Sequence, residues 1–179
     1  MRKISILRFG DVTLISRVRR SAEALGENGN YAVSIISIAP RNVICKNDTS
    51  KVKMRCTEIR SRNLHPSAIF KWVRIVEGLV RYLFATYREN SDIYIATGFK
   101  ELLIAYIVIR LNKGILIYNS SELEGGRKRF KNTHLDKLAN HLVSGIEVIL
   151  LRISSSIIAA DFERAEIMSK WLKCGKVHT

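Results

Sequence analysis

One stretch constrains this chain more than any other: Ser91–Glu124, S-D-I-Y-I-A-T-G-F-K-E-L-L-I-A-Y-I-V-I-R-L-N-K-G-I-L-I-Y-N-S-S-E-L-E. Two short β-rich runs, Asp92–Thr97 and Gly114–Tyr118, flank one amphipathic segment, Phe99–Asn112. A strand, a helix and a strand in this order form a βαβ unit, whose crossover is right-handed and whose strands run parallel. Polar residues gather where the two strands end. Thr97, Gly98, Lys100 and Glu101 follow the first, and Asn119, Ser120, Ser121 and Glu122 follow the second. Open parallel sheets bind ligands at the carboxyl ends of their strands, so these eight are candidate substrate-binding residues.

The rest of the chain repeats the same logic. Lys3–Phe9 is apolar and β-branched and ends at Gly10-Asp11, so it reads as a buried first strand with a turn that adds two more candidate binding residues. Val12–Glu27 follows as a helix, with Leu14, Val18, Ala22 and Leu25 at helical spacing. Tyr31–Ile38 is a second strand, and Val52–Ile59, after a polar loop with Pro40, is expected as an exposed or edge strand. Ser67–Arg88 is the longest predicted helix. Its row Ile69, Val73, Val76, Val80, Leu83 and Tyr87 predicts one buried face. A second row on this helix, Lys71, Arg74, Arg81 and Arg88, is basic. Leu135–Arg152 is predicted helical through Leu135, Leu138, Leu142, Ile146, Ile149 and Ile153; Ser155–Ala160 is a strand, Asp161–Leu172 a helix, and Val177–Thr179 the start of a further strand. The expected fold class is α/β: a single Rossmann-like domain over residues 1–179, with an open, mostly parallel sheet and helices on both faces.

Composition sets the kind of partner. Thirty Lys and Arg against 16 Asp and Glu give a formal charge of +14. That excess favours an anionic partner: nucleic acid, anionic lipid or a phosphate-bearing substrate. The basic row on the long helix and the loop residues Arg127, Lys128 and Arg129 are candidate membrane- or anion-binding positions, with a solvated helix face as the alternative for the row. With 47% hydrophobic residues and 2 Pro the chain can bury a core. Cys45, Cys56 and Cys174 form no C-x-x-C pair, which suits reduced thiols in a cytosolic compartment. The apolar run Ile4–Phe9 is too short for a signal-peptide core, and the longest unbroken apolar run, Leu102–Ile109, is far too short to span a bilayer. The expectation is a cytoplasmic protein, peripheral at most on the inner face of the membrane.

Several chemistries lack their motifs. The first turn, Phe9-Gly10-Asp11-Val12-Thr13, is not the three-glycine dinucleotide fingerprint, and no phosphate-binding P-loop or nucleophile-elbow pattern occurs. Gly10 leaves room for an anion beside a helix start, or is a plain turn residue. His134 and His141 stand two helical turns apart, roughly 10 Å, too far to share one metal. No Asp-x-Asp pair is present to hold a metal for a diphosphate, so no metal and no cofactor are expected. Glu122 beside Asn119 and Ser120 suits a hydroxyl-rich ligand, or caps a turn.

At these residues a family resemblance emerges. Tyr118–Leu123, Y-N-S-S-E-L, resembles the Y-D-S-H-E-L stretch of family-4-type glycosyltransferases. Ser91–Leu103 is similar to their A-D-V-Y-H-A-H-D-x-x-x-L segment, and Arg17–Gly29 to their R-V-x-R-x-A-x-x-L-x-x-x-G first helix. Glu147–Met168 resembles their closing L-E-x-x-L-x-x-x-A-D-x-V-I-x-V-S-x-x-x-A. The four pieces occur in order and touch most of the chain. The family's His-Asp is Thr97-Gly98 here, the His before its Glu is Ser121, and the Asp before its last strand is Ser155.

The resemblance implies one half of a GT-B enzyme: the N-terminal, acceptor-side domain, with the C-terminal nucleotide-sugar domain absent from these residues. It implies sugar transfer from a nucleotide-sugar to a glycan or lipid-linked acceptor in cell-surface polysaccharide synthesis, without metal. Gly10 and Asp11 would line the cleft floor, and Asn119, Ser120, Ser121 and Glu122 would meet acceptor or sugar hydroxyls. The donor-binding residues belong to the other half, so no catalytic residue is assigned and the isolated chain is expected to be inactive. Two other readings stay open: a non-catalytic, membrane-associated subunit of a split glycosyltransferase, and a basic nucleic-acid-binding α/β domain. The last rests on charge alone, since no recognition motif supports it.

Overall fold

The first strand shows why this sequence makes a two-sided sheet. In R-K-I-S-I-L-R, Ile4 and Ile6 point to one face while Ser5 and Leu7 point to the other, and all four are buried. Burial on both faces is the mark of a parallel sheet with layers above and below. The computed structural model describes residues 1–9, 16–27, 29–39, 55–60, 68–120, 134–172 and 177–179. Its elements are β1 (Arg2–Arg8), α1 (Ser16–Glu27), β2 (Tyr31–Ala39), β3 (Arg55–Arg60), α2 (Ala68–Glu89), β4 (Ile93–Ala96), α3 (Phe99–Asn112), β5 (Ile115–Ser120), α4 (His134–Ile153), β6 (Ser156–Ala159), α5 (Phe162–Leu172) and β7 (Val177–His178). Phe99–Asn112 is a helix as expected, but it is apolar on both sides rather than amphipathic, with Leu102, Ala105 and Val108 buried and Leu103, Ile107 and Leu111 exposed; β3 is an edge strand as expected.

The sheet has seven strands in the order β3-β2-β1-β4-β5-β6-β7, and every pair is parallel. The direction of travel reverses at β1. The chain moves one way from β1 to β3 and the other way from β4 to β7, which makes the gap between β1 and β4 a topological switch point. Right-handed crossovers then sort the helices. Val18 and Ala22 of α1 pack with Ile4, Ile6, Val33 and Ile35 on one face. Residues of α2, α3, α4 and α5 share the larger core on the opposite face with Leu7, Ile36, Tyr94, Ala96, Leu116, Tyr118 and Ile157. Each fully buried aliphatic side chain of this kind contributes about 1.5–3 kcal/mol.

Three buried hydroxyls pair within these layers, whereas Ser37 Oγ and Ser120 Oγ are buried with no hydrogen-bond partner among the described residues. Ser5 Oγ lies 2.9 Å from Ser34 Oγ and 2.7 Å from Ser91 Oγ, linking β1, β2 and the start of the β4 segment. Asp92 Oδ2 accepts from the Lys3 amide at 2.8 Å, which fixes the amino end of β1 against that segment. The helix α3 stops at Lys113, whose left-handed backbone (φ 55°) returns its N–H to the Ile109 carbonyl at 2.9 Å.

Two helices correct the sequence reading. On α2 the aliphatic row was expected inward, yet Val73, Val76, Val80 and Tyr87 are exposed. Its inward face is Gly78, Tyr82 and Thr86, with Leu79, Leu83 and Ala85 partly buried beside them. The reason is that Tyr82 supplies more contact area than any valine and satisfies its own hydroxyl. It donates to the Ile36 carbonyl at 3.2 Å, while Thr86 Oγ1 donates to the Tyr82 carbonyl at 2.8 Å. On α4, Leu142, Ile146, Ile149 and Ile153 are likewise exposed, and Glu147, Leu150 and Leu151 face in. The side chains of Ile69, Leu135 and Leu138 lie outside the described residues.

Candidate functional site

The candidate site is the carboxyl end of the sheet at the switch point, where β1 and β4 finish side by side. Backbone and side chain of Thr97 both tie back to β1: its N–H and its Oγ1 each donate to the Leu7 carbonyl, at 3.3 and 2.9 Å. Arg8, the last residue of β1, reaches the same Oγ1 through Nη1 at 3.4 Å. The Arg8 Nε is buried and has no hydrogen-bond partner among the described residues.

The start of α3 is built around Gly98 and Glu101. Gly98 is the N-cap in extended backbone, with no side chain to cap the helix. Glu101 is the acidic residue of the first turn. Its carboxylate folds back so close to Gly98 that a Cβ there would lie 2.8 Å from Glu101 Oε2, and Oε1 accepts a hydrogen bond from the Phe9 amide. A carboxylate at a helix amino end is favoured by the helix dipole. One side chain therefore joins the β1 exit to the α3 entrance.

An aromatic and cationic cluster lies over this joint. The Phe9 ring meets Tyr82 edge-on, with centroids 5.8 Å apart at 81°, and the Lys100 ammonium stands 4.7 Å above the Phe9 ring. That geometry is a cation–π contact. Burial pushes the Tyr82 phenol well above its ordinary value, the Glu101 carboxylate adds to the push and Arg8 opposes it. Tyr82 is thus a neutral donor at any moderate pH.

Alongside, Tyr118 pairs with Ala96, so β5 runs on to place Asn119 and Ser120 beside Thr97 and Gly98. Asn119 is half-buried and on the α1 side of the sheet, whereas Ser120 is buried on the side of the larger core. Beneath them the Tyr118 hydroxyl donates to Glu147 Oε1 at 3.4 Å. Glu147 is fully buried, and desolvation followed by the nearby Glu147 charge raises the Tyr118 phenol.

Of the sequence candidates, Thr97, Gly98, Lys100, Glu101, Asn119 and Ser120 come together at this end of the sheet. Thr97 and Glu101 are turned inward, each 4% exposed, and act as joints; Lys100 is exposed and Asn119 is half-open. Gly10, Asp11, Ser121, Glu122, Arg127, Lys128 and Arg129 lie outside the described residues. The second set of candidates sits elsewhere. Arg81 and Arg88 are exposed along α2, with Arg81 Nη2 2.6 Å from Glu77 one turn away, and the side chains of Lys71 and Arg74 lie outside the described residues. The sequence reading missed Arg8, Tyr82 and Glu147. A charged residue inside the apolar run I-E-V-I-L-L was a signal for Glu147; nothing in the local pattern marks Arg8.

Among the described residues no group of three or more His, Cys, Asp or Glu side chains could hold a metal ion. A depression lined by Arg2, Asn90, Asp92, Asn112, Lys113 and Gly114 lies at the amino end of the strands, opposite the candidate site.

No protein-family model matches the sequence, and no curated protein matches it. Solved structures do match the fold. Sucrose-phosphate synthase (tll1590) from Thermosynechococcus elongatus aligns over 99% of this chain and 47% of its own, at 12% identity and a TM-score of 0.65. Anabaena Alr3699/HepE, solved in complex with UDP and glucose, aligns over 99% of this chain and 44% of its own, at 12% identity and a TM-score of 0.60. A UDP-N-acetylglucosamine 2-epimerase from Listeria monocytogenes aligns over 98% and 44%, at 10% identity and a TM-score of 0.62. The chain spans less than half the length of each of these proteins. It has the Rossmann-like α/β fold of one half of the GT-B architecture.

Proposed function

We propose that the chain is the acceptor-binding half of a family-4-type GT-B glycosyltransferase, acting in the synthesis of a cell-surface glycan. The observation that supports this most is the extent of the fold match: nearly the whole chain aligns with slightly under half of a sucrose-phosphate synthase and of a protein solved with UDP and glucose. In this reading the sugar passes from a nucleotide-sugar to an acceptor hydroxyl, and the other half holds the donor without metal. The Lys100 ammonium and Arg8 guanidinium give the switch point a positive character that suits an acceptor carrying a phosphate or diphosphate, as lipid-linked acceptors do. Asn119, with Ser121 and Glu122 following it in sequence, would meet hydroxyls. Thr97, Gly98 and Glu101 would hold Lys100 and the β1 exit in place. The protein would work in the cytoplasm, peripheral at the inner face of the membrane. A second reading, a non-catalytic subunit of a split transferase, shares this site and differs only in where the donor half is encoded.

The test is ligand-observed NMR on the chain with two probes, a short-chain prenyl-diphosphate-linked sugar and UDP-glucose. The expected result is saturation transfer to the first, weakened at least tenfold by Lys100→Ala and by Asn119→Ala, with neither probe turned over. Preferential binding of UDP-glucose, or turnover by this chain alone, refutes the assignment.

A further inference from the structure

The outward side of the helical layer is apolar on three neighbouring helices. On α2 the row is Val76, Val80, Phe84 and Tyr87, with Phe84 61% exposed. On α3 it is Leu103, Ile107 and Leu111, with Leu111 64% exposed. On α4 it is Leu142, Ile146, Ile149 and Ile153, with Ile149 58% exposed. The helix α2 packs beside α3 and α3 beside α4, on the same side of the sheet. The three rows therefore face the same way, away from the sheet. Contiguous apolar patches beyond a few hundred Å² are rare on monomeric soluble proteins and mark interaction surfaces.

Charge identifies the occupant. Among the described side chains of α2, α3 and α4, every exposed charge is positive: Arg81, Arg88, Lys100, Arg110 and Arg152. The acidic ones are buried or half-buried, as at Glu101, Glu147, Glu77 and Glu89. Aliphatic and aromatic rows bordered by arginines, with no helix among the described residues able to cross a membrane, match a surface that lies on lipid. A second copy of a chain with charge +14 is disfavoured by repulsion.

We infer that the outward face of α2, α3 and α4 docks on an anionic lipid surface, with Phe84, Leu111 and Ile149 entering the headgroup–acyl boundary and Arg88 and Arg110 meeting lipid phosphates and carboxylates. This rests on the peripheral placement proposed above and not on the sugar chemistry. Each cation at the surface is worth about fivefold in binding.

The test is sedimentation of the chain with phosphatidylcholine vesicles, with and without phosphatidylserine, free of any acceptor or nucleotide-sugar, so its failure leaves the transferase reading intact. The expected result is binding that needs phosphatidylserine and weakens with salt. Phe84→Asp with Ile149→Asp should cut binding at least tenfold while far-UV circular dichroism is unchanged. Arg88→Glu with Arg110→Glu, a change confined to exposed charges, should do the same. Equal binding to pure phosphatidylcholine, or binding to neither vesicle, overturns the inference. So does a dimer, seen by sedimentation velocity, that Phe84→Asp dissolves. Binding that survives the apolar pair but is lost on replacing Arg127, Lys128 and Arg129 with Ala assigns the contact to that basic run and also overturns it.

Discussion

Replacing Gly98 with Ala should test how the candidate site is held together. Backbone strain does not enter, because Gly98 has φ −165° and ψ 177°, an extended conformation open to any residue. The cost comes from one collision: the new Cβ would lie 2.8 Å from Glu101 Oε2. A free carboxylate would swing away, but this one is 4% exposed and accepts the Phe9 amide. Moving it forfeits a hydrogen bond to a charged acceptor, about 1.5–3 kcal/mol. The loss is partly offset by the reduced freedom of the unfolded chain, about 0.4–1 kcal/mol for Gly→Ala. Glu101→Ala loses the same bond together with the helix-end interaction, for a total of about 2–4 kcal/mol. In urea that is a midpoint shift of roughly 1–2 M for a typical dependence on denaturant. The decisive measurement is the double-mutant cycle. Once Glu101→Ala has removed the carboxylate, Gly98→Ala should be neutral or slightly stabilising, giving a coupling of about 1.5–3 kcal/mol. Additivity within about 0.5 kcal/mol would refute the claim that this glycine exists to admit this carboxylate.

Two further outcomes follow from the layers. Ile157 is fully buried and Ile158 is 38% exposed on the next residue of the same strand; Ile157→Ala should cost about 2–5 kcal/mol and Ile158→Ala less than half as much, and equal urea midpoints would contradict the face assignment. The raised Tyr82 and Tyr118 phenols predict alkaline instability. A group whose folded value lies above its unfolded one stabilises fully below the unfolded value, about pH 10 for tyrosine, and loses that contribution as pH rises towards the folded value. Urea midpoints should therefore fall above about pH 10, and Tyr82→Phe should flatten the decline; an unchanged slope would remove Tyr82 as its source.

Much of this architecture was legible in the residues. The spacing of apolar positions located every helix of the described residues to within a few residues, and the β-branched runs located their strands, because each depends on local pattern alone. What could not be read was which side of a helix faces the sheet. Both α2 and α4 carry two competing rows, and periodicity counts aliphatics without seeing that Tyr82 fills the space against Ile36 and Phe9, or that Glu147 finds Tyr118. At the site, Thr97 and Glu101 were found because strand ends collect polar residues. Their inward roles were hidden, since the partners, the Leu7 carbonyl and the Phe9 amide, are some ninety positions away in sequence.

The inverted helices also follow from the course of the chain. Since all crossovers after β3 lead the same way, α2 to α5 share one face and, among the described residues, α1 is the one helix on the other. The helices on the crowded face already bury one side each against the sheet, with Tyr82, Leu102, Val108, Leu150 and Leu151 at the contact. Further aliphatics on those helices have no core left to enter. A helix apolar on both sides belongs between two layers, and α3 is the clearest case: Ala105 and Val108 face inward while Leu103, Ile107 and Leu111 face outward. The described residues of this chain supply only one of those layers. The outer rows are therefore evidence for a surface beyond the domain, and the exposed charges around them, all positive among the described side chains, make an anionic surface the best match in sign.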